Sequence, residues 1–128
     1  MKPSHPVELL ACAIATQEGW FLPGSKPSLR NNPGDLRLAG QIGASAPIGV
    51  SEPRPIAQFA SQALGTTALF RQIWLQVAEG QTVRQIVNQW APASENDSTA
   101  YLQNVLHWTG LPADVPVLAL LPALVPLD

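Results

Sequence analysis

Proline and glycine constrain this chain more than any other residues. There are 13 prolines and 9 glycines among 128 residues, and they crowd into residues 20–55 and into the tail beyond residue 111. Proline removes a backbone donor and glycine favours turns, so neither segment can hold a long helix. The regular structure must therefore lie before residue 20 and between about 56 and 110.

Within those bounds the apolar spacing predicts helices. Residues 6–18 open on Pro6, favoured at a first helical position, and place Val7, Leu10, Ala11, Ile14 and Ala15 on one face before Gly19 ends the run. Residues 56–59 suit a short strand. Ser61 then caps a helix over 62–79 with Leu64, Ala68, Leu69, Ile73 and Val77 inward, ended by Gly80. Thr82 and Gln85 form a capping box for a helix reaching Trp90, with Val83, Ile86 and Val87 inward and Ala91-Pro92 as the stop. Asp97 or Ser98 caps a last helix, 99–109, carrying Tyr101, Leu102, Val105 and Leu106, before Gly110. Residues 20–55 read as loop with a small irregular β region, extended over 35–39 and 41–50; loops of this length in a compact domain usually carry function.

These readings predict a mainly α fold, a helical bundle around a central helix with a small β-hairpin and loop lobe. One domain spans 1–111. The proline-rich apolar tail, 112–128, docks on that domain as short turns or extended chain, or else serves as a strip for a protein partner. Seven Lys and Arg against nine Asp and Glu give no basic face for nucleic acid. Cys12 is the only cysteine, so no intrachain disulfide or cysteine-rich zinc site is possible. His5 and His107 are too far apart in sequence to suggest a metal or Cys–His centre, and no motif implies a cofactor. The N-terminus lacks the basic and apolar regions of a signal peptide, and the broken apolar run at 115–127 is too short to span a membrane.

Glu18 is the first chemically unusual residue. A negative charge is disfavoured at a helix C-terminus, and Trp20 and Phe21 follow at once, so dipole and desolvation both raise its pKa toward that of a proton donor at neutral pH. The alternative is an exposed Glu at a frayed helix end. Three segments set it in context: AIATQEGWFLPGSKPSLRNNPGDLRLAG at 13–40, FASQALGTTAL at 59–69 and WAPASENDSTAYLQNVLHWTGL at 90–111. In order and approximate spacing they resemble the lysozyme-like, peptidoglycan-cleaving domains of phages and prophages, near the lytic transglycosylases and flagellar-type glucosaminidases.

The resemblance implies that Glu18 is the catalytic acid and that Tyr101 faces it across a glycan cleft. It places the Asn31-Asn32-Pro33-Gly34-Asp35 turn at the entry to the β lobe. Asn31 and Asn32 have amides suited to sugar hydroxyls and N-acetyl groups, and Gly34 permits close backbone approach, although an Asn-Pro-Gly turn also serves backbone geometry alone. Glu95 and Asn96 precede a helix, as substrate contacts or as caps. Trp20 lies beside the proposed site as a stacking surface; Trp74, Trp90 and Trp108 read as core. Phe59, Ser61 and Gly65 read as packing and capping. A two-carboxylate hydrolysis needs a partner for Glu18. Asp35, Glu52, Glu95 and Asp97 are available, with Glu52 suiting a glucosaminidase-like scheme; the lack of an obvious dyad favours a lytic transglycosylase.

The implied partner is the peptidoglycan glycan strand. A chain made in the cytoplasm without a signal peptide would reach the periplasmic wall by release, virion packaging or secretion. The rival reading is a catalytically silent lysozyme-like module, a virion or secretion part or a wall-binding domain. A net charge of −2 departs from the positive field that draws many lysozymes to an anionic wall, and points to hydrogen bonding and stacking within a cleft.

Overall fold

A computed structural model describes residues 5–91 and 98–122. In chain order it contains α1 (Pro6–Glu18), α2 (Lys26–Leu29), β1 (Ala44–Ser45), β2 (Gln58–Phe59), α3 (Gln62–Ala78), α4 (Val83–Trp90), α5 (Ser98–Thr109) and α6 (Val117–Leu120). The protein is mainly helical, with one two-stranded antiparallel sheet.

α1 is the central helix, packed against α3 and α5. Its start is fixed by Pro6 and by His5, whose Nδ1 accepts the Val7 amide N–H at 3.1 Å. Its end is fixed by Gly19, whose φ of 91° is left-handed and stops the helix cleanly. The predicted face is buried, together with Ala13. Alanines 11, 13 and 15 keep the surface shallow, so two neighbouring helices can approach it. Leu10, Ile14, Leu69, Ile73, Val77, Val83, Ile86, Val87 and Val105 form the core. Each contributes about 1.5–3 kcal/mol of apolar burial. Ser61 caps α3 and the Thr82–Gln85 capping box opens α4. Leu64 and Leu106 are only half-buried, and Cys12 faces solvent from α1.

The lobe between α1 and α3 differs from its sequence reading in two ways. A one-turn helix, α2, forms because Ser25 Oγ accepts the Ser28 amide N–H and Pro27 occupies the first turn. The extended pieces shrink to β1, paired with β2 in the register Ala44 with Phe59 and Ser45 with Gln58, and an isolated bridge between Arg37 and Ile56. Gly40, Gly43 and Gly49 all have positive φ, so turns interrupt the chain before a longer ladder can form. A second small core of Ala57, Phe59 and Ala68, backed by Leu36, Leu38, Ala44 and Leu64, fastens the lobe to α3.

The chain after α5 folds back on the α3–α4 junction. The Val117 N–H donates to the Gln81 carbonyl at 3.0 Å, the Arg84 N–H to the Ala113 carbonyl at 3.1 Å, and Val117 is fully buried. The exposed Arg84–Asp114 pair, 2.7 Å apart, adds little, because solvent screens it. No helix among the described residues is long and apolar enough to cross a membrane.

Candidate active site

Packing α5 across α1 joins two residues 83 apart in sequence: the Tyr101 hydroxyl donates to Glu18 Oε2 at 2.9 Å. One turn along α5, the Asn104 amide donates to Gln17 Oε1 at 3.0 Å, a second tie across the same helix pair. Glu18 and Tyr101 form one wall of a cleft of about 770 Å³. Asp35, Arg37 and Arg54 face into it from the lobe, and Gln72, Gln89 and Trp90 complete it from α3 and α4. Such a cleft is large enough for a small ligand or a segment of a polymer.

Burial does most to alter the acid. It pushes the Glu18 carboxyl from its ordinary 4.5 to about 7; the nearby Asp35 charge adds to the rise, and the Tyr101 hydrogen bond opposes it. Near neutral pH, Glu18 is therefore divided between a form that donates a proton and a form that accepts one. Asp35 is also raised by burial, but Arg30, Lys26 and Arg37 pull it back toward the charged form. Tyr101 is raised by its own burial and by the Glu18 charge, so its hydroxyl stays a donor. Two opposed substitutions test this balance. Tyr101→Phe removes the opposing hydrogen bond and raises the Glu18 pKa, whereas Asp35→Asn removes a like charge and lowers it, each by up to about one unit. A carboxyl-carbon NMR titration of Glu18 reads both signs.

The Asn-Pro-Gly turn is structural. Asn32 is fully buried, its Oδ1 accepts the Leu36 N–H at 2.9 Å, and its Nδ2 donates to the Leu36 and Ala57 carbonyls at 3.0 and 2.8 Å. No polar atom of that side chain is left for a sugar, which corrects its reading as a binding residue. The Asn31 amide likewise donates to the Phe59 carbonyl at 3.1 Å. Gly34 is close-packed for the core: a Cβ there would lie 2.8 Å from Leu69 Cδ1, while its carbonyl accepts the Trp90 indole N–H at 2.7 Å. Asn32→Ala leaves a buried amide N–H and two carbonyls without this partner. It is expected to cost about 2–4 kcal/mol, read as a drop in thermal midpoint.

The tryptophans exchange places. Trp20 packs against the main core and does not line the cleft, although it follows Glu18 closely in sequence. Trp90 lines the cleft; it continues the apolar stripe of Val83, Ile86 and Val87, which is why it reads as core. Glu52 is exposed and outside the cleft lining, and among the described residues the carboxylate that shares the cleft with Glu18 is Asp35. Glu95, Asn96 and Asp97 lie outside the described residues. Arg37, Arg54, Gln72 and Gln89 carry no local signal in the sequence; only the fold brings them to one cleft.

Comparison with models of known protein families, with curated proteins and with solved structures finds no match for this chain.

Proposed function

We propose that this chain is a lysozyme-like enzyme that cleaves the glycan strand of peptidoglycan, with Glu18 as general acid and then general base. One observation carries the reading: a carboxyl with a pKa of about 7 lies in an open polar cleft, hydrogen-bonded to Tyr101 and facing a second acid, Asp35. The resemblance of residues 13–40, 59–69 and 90–111 to lysozyme-like domains supplies the substrate class.

Protonated Glu18 gives its proton to the glycosidic oxygen as the C–O bond breaks and its electron pair leaves with that oxygen. The sugar left behind is oxocarbenium-like. The carboxylate of Asp35, whose pKa burial raises against the opposing charges of Arg30, Lys26 and Arg37, stabilises or attacks that centre in its ionised form. Burial raises both acids, but only Asp35 has three cations opposing the rise, which suits Glu18 to the proton-donor role and Asp35 to the charged one. The Glu18 carboxylate then takes a proton from water in hydrolysis, or from the sugar's own hydroxyl in anhydro-product formation. The sequence alone favours the second route for want of a dyad; Asp35 in the cleft favours hydrolysis.

Mass analysis of new ends on isolated glycan strands tests the reading. Reducing N-acetylmuramic acid or N-acetylglucosamine ends, lost with Asp35→Asn, are the expected result. Anhydro-muramyl ends that persist in Asp35→Asn would assign the transglycosylase route. No new ends of any kind would overturn the proposal and leave the silent module.

A further inference from the structure

The positive charge of this acidic chain is unevenly placed. Residues 26–54 hold four of the seven cations, Lys26, Arg30, Arg37 and Arg54, and only two of the nine acids, Asp35 and Glu52. The segment is therefore positive by two in a chain whose net charge is −2. It is also the segment that forms the lobe side of the cleft, and two of its cations, Arg37 and Arg54, line the cleft directly.

These two arginines are linked through the main chain. Arg37 Nη1 donates to the Arg54 carbonyl at 2.9 Å, which sets one guanidinium beside the backbone that carries the other. The Gln41 amide in turn donates to the Arg37 carbonyl at 2.8 Å while its Oε1 accepts the Ala39 N–H, so the turn behind Arg37 is braced. Among the described residues the only ion pair is Arg84–Asp114, neither of which lines the cleft. Among the described residues neither Arg37 nor Arg54 makes a salt bridge, and Arg37 acts on the Asp35 carboxyl only through its charge. A guanidinium offers several donors in a planar fork that matches a carboxylate. A neutral glycan has nothing for two such forks to pair with.

We infer that Arg37 and Arg54 form a carboxylate-reading subsite on the lobe wall, so that the cleft prefers glycan carrying free acidic peptide substituents over bare glycan. The inference rests on the proposed function for the identity of the ligand, and on the charge and geometry of the lobe for its chemistry. The cleft lining also holds the acids Glu18 and Asp35, so the attraction for a carboxylate is local to the two guanidinium groups. Both side chains are exposed, so the preference weakens as salt is added.

The test is equilibrium binding of a soluble muramyl peptide with free carboxylates, compared with the same compound after its carboxylates are converted to amides. The wild type is expected to bind the free acid roughly tenfold more tightly at low ionic strength. In Arg37→Gln/Arg54→Gln the ratio of the two affinities falls to about one, and in Arg71→Gln, which alters an exposed cation outside the cleft lining, the preference stays. Equal binding of both compounds by the wild type, a preference retained in the double variant, or a preference lost equally in Arg71→Gln would overturn the subsite. Binding needs no turnover, so the two ideas fail separately. Cleavage of peptide-free glycan without a carboxylate preference removes the subsite alone; the preference without any cleavage removes the glycosidase reading alone.

Discussion

Glu18→Gln is expected to lower glycan cleavage roughly 10²- to 10⁴-fold, the usual contribution of a positioned general acid, while leaving the fold intact. A Gln side chain keeps the shape and can still accept the Tyr101 hydroxyl, but it neither gives nor takes a proton. The same substitution should stabilise the protein at neutral and alkaline pH. The carboxyl has a pKa of 4.5 when unfolded and about 7 when folded. Below 4.5 both states hold the proton and Glu18 costs nothing. Between 4.5 and 7 the folded state keeps a proton that the unfolded state has released, so stability falls as pH rises, and above 7 the loss is complete. The full shift corresponds to about 3 kcal/mol. The cleft is open to water, and screening reduces this to about 1–2 kcal/mol. Denaturant midpoints at pH 4 and pH 8 should therefore coincide with the wild type at the lower pH and exceed it at the higher. Wild-type activity should decline on the alkaline side with a midpoint near 7.

Gly65→Ala should have the largest effect on folding. An added Cβ would stand 1.7 Å from the carbonyl oxygen of Asn31, and backbone on both sides leaves no flexible side chain to yield. Asn31 itself is held with φ of 53° and by its amide bond to the Phe59 carbonyl. The lobe must lift from α3, breaking the small core around Ala57, Phe59 and Ala68. A cost of about 3 kcal/mol or more follows from such overpacking, which lowers the thermal midpoint by roughly ten degrees. Gly80→Ala is the control: its φ of 81° is also left-handed, but no atom lies within 4 Å of the added Cβ, so only about 1–2 kcal/mol of backbone strain is expected. Equal melting of the two variants would contradict the close seating of the lobe. Because the displaced loop carries Asp35, Gly65→Ala should also disturb the cleft at temperatures where the helices remain folded.

What could be read from the sequence was what nearest neighbours decide. Pro6 and Gly19 bound α1, Ser61 caps α3 and Thr82 with Gln85 opens α4 because these signals act within one helical turn. The buried stripes follow from the same local periodicity. The Glu18–Tyr101 contact spans 83 residues, and no spacing rule reaches that far; the resemblance paired the two residues but across a cleft, whereas they touch on one wall of it. Asn32 shows a second limit. An amide that binds a sugar and one that closes a turn are the same group, and only the burial of Asn32 among the Leu36 and Ala57 backbone decides between them. Trp20 and Trp90 show a third, since adjacency to Glu18 in sequence suggested the wrong indole. Trp20 follows a left-handed Gly19 that turns the chain back toward the core, whereas Trp90 reaches the cleft by its hydrogen bond to Gly34.

Digestion of purified peptidoglycan sacculi by the wild type and by Glu18→Gln, with the soluble glycan fragments measured over time, tests the central claim most directly. Steady release by the wild type, fastest below pH 7, and almost none by the variant is the expected result. Equal release by both, or none by the wild type, would contradict it.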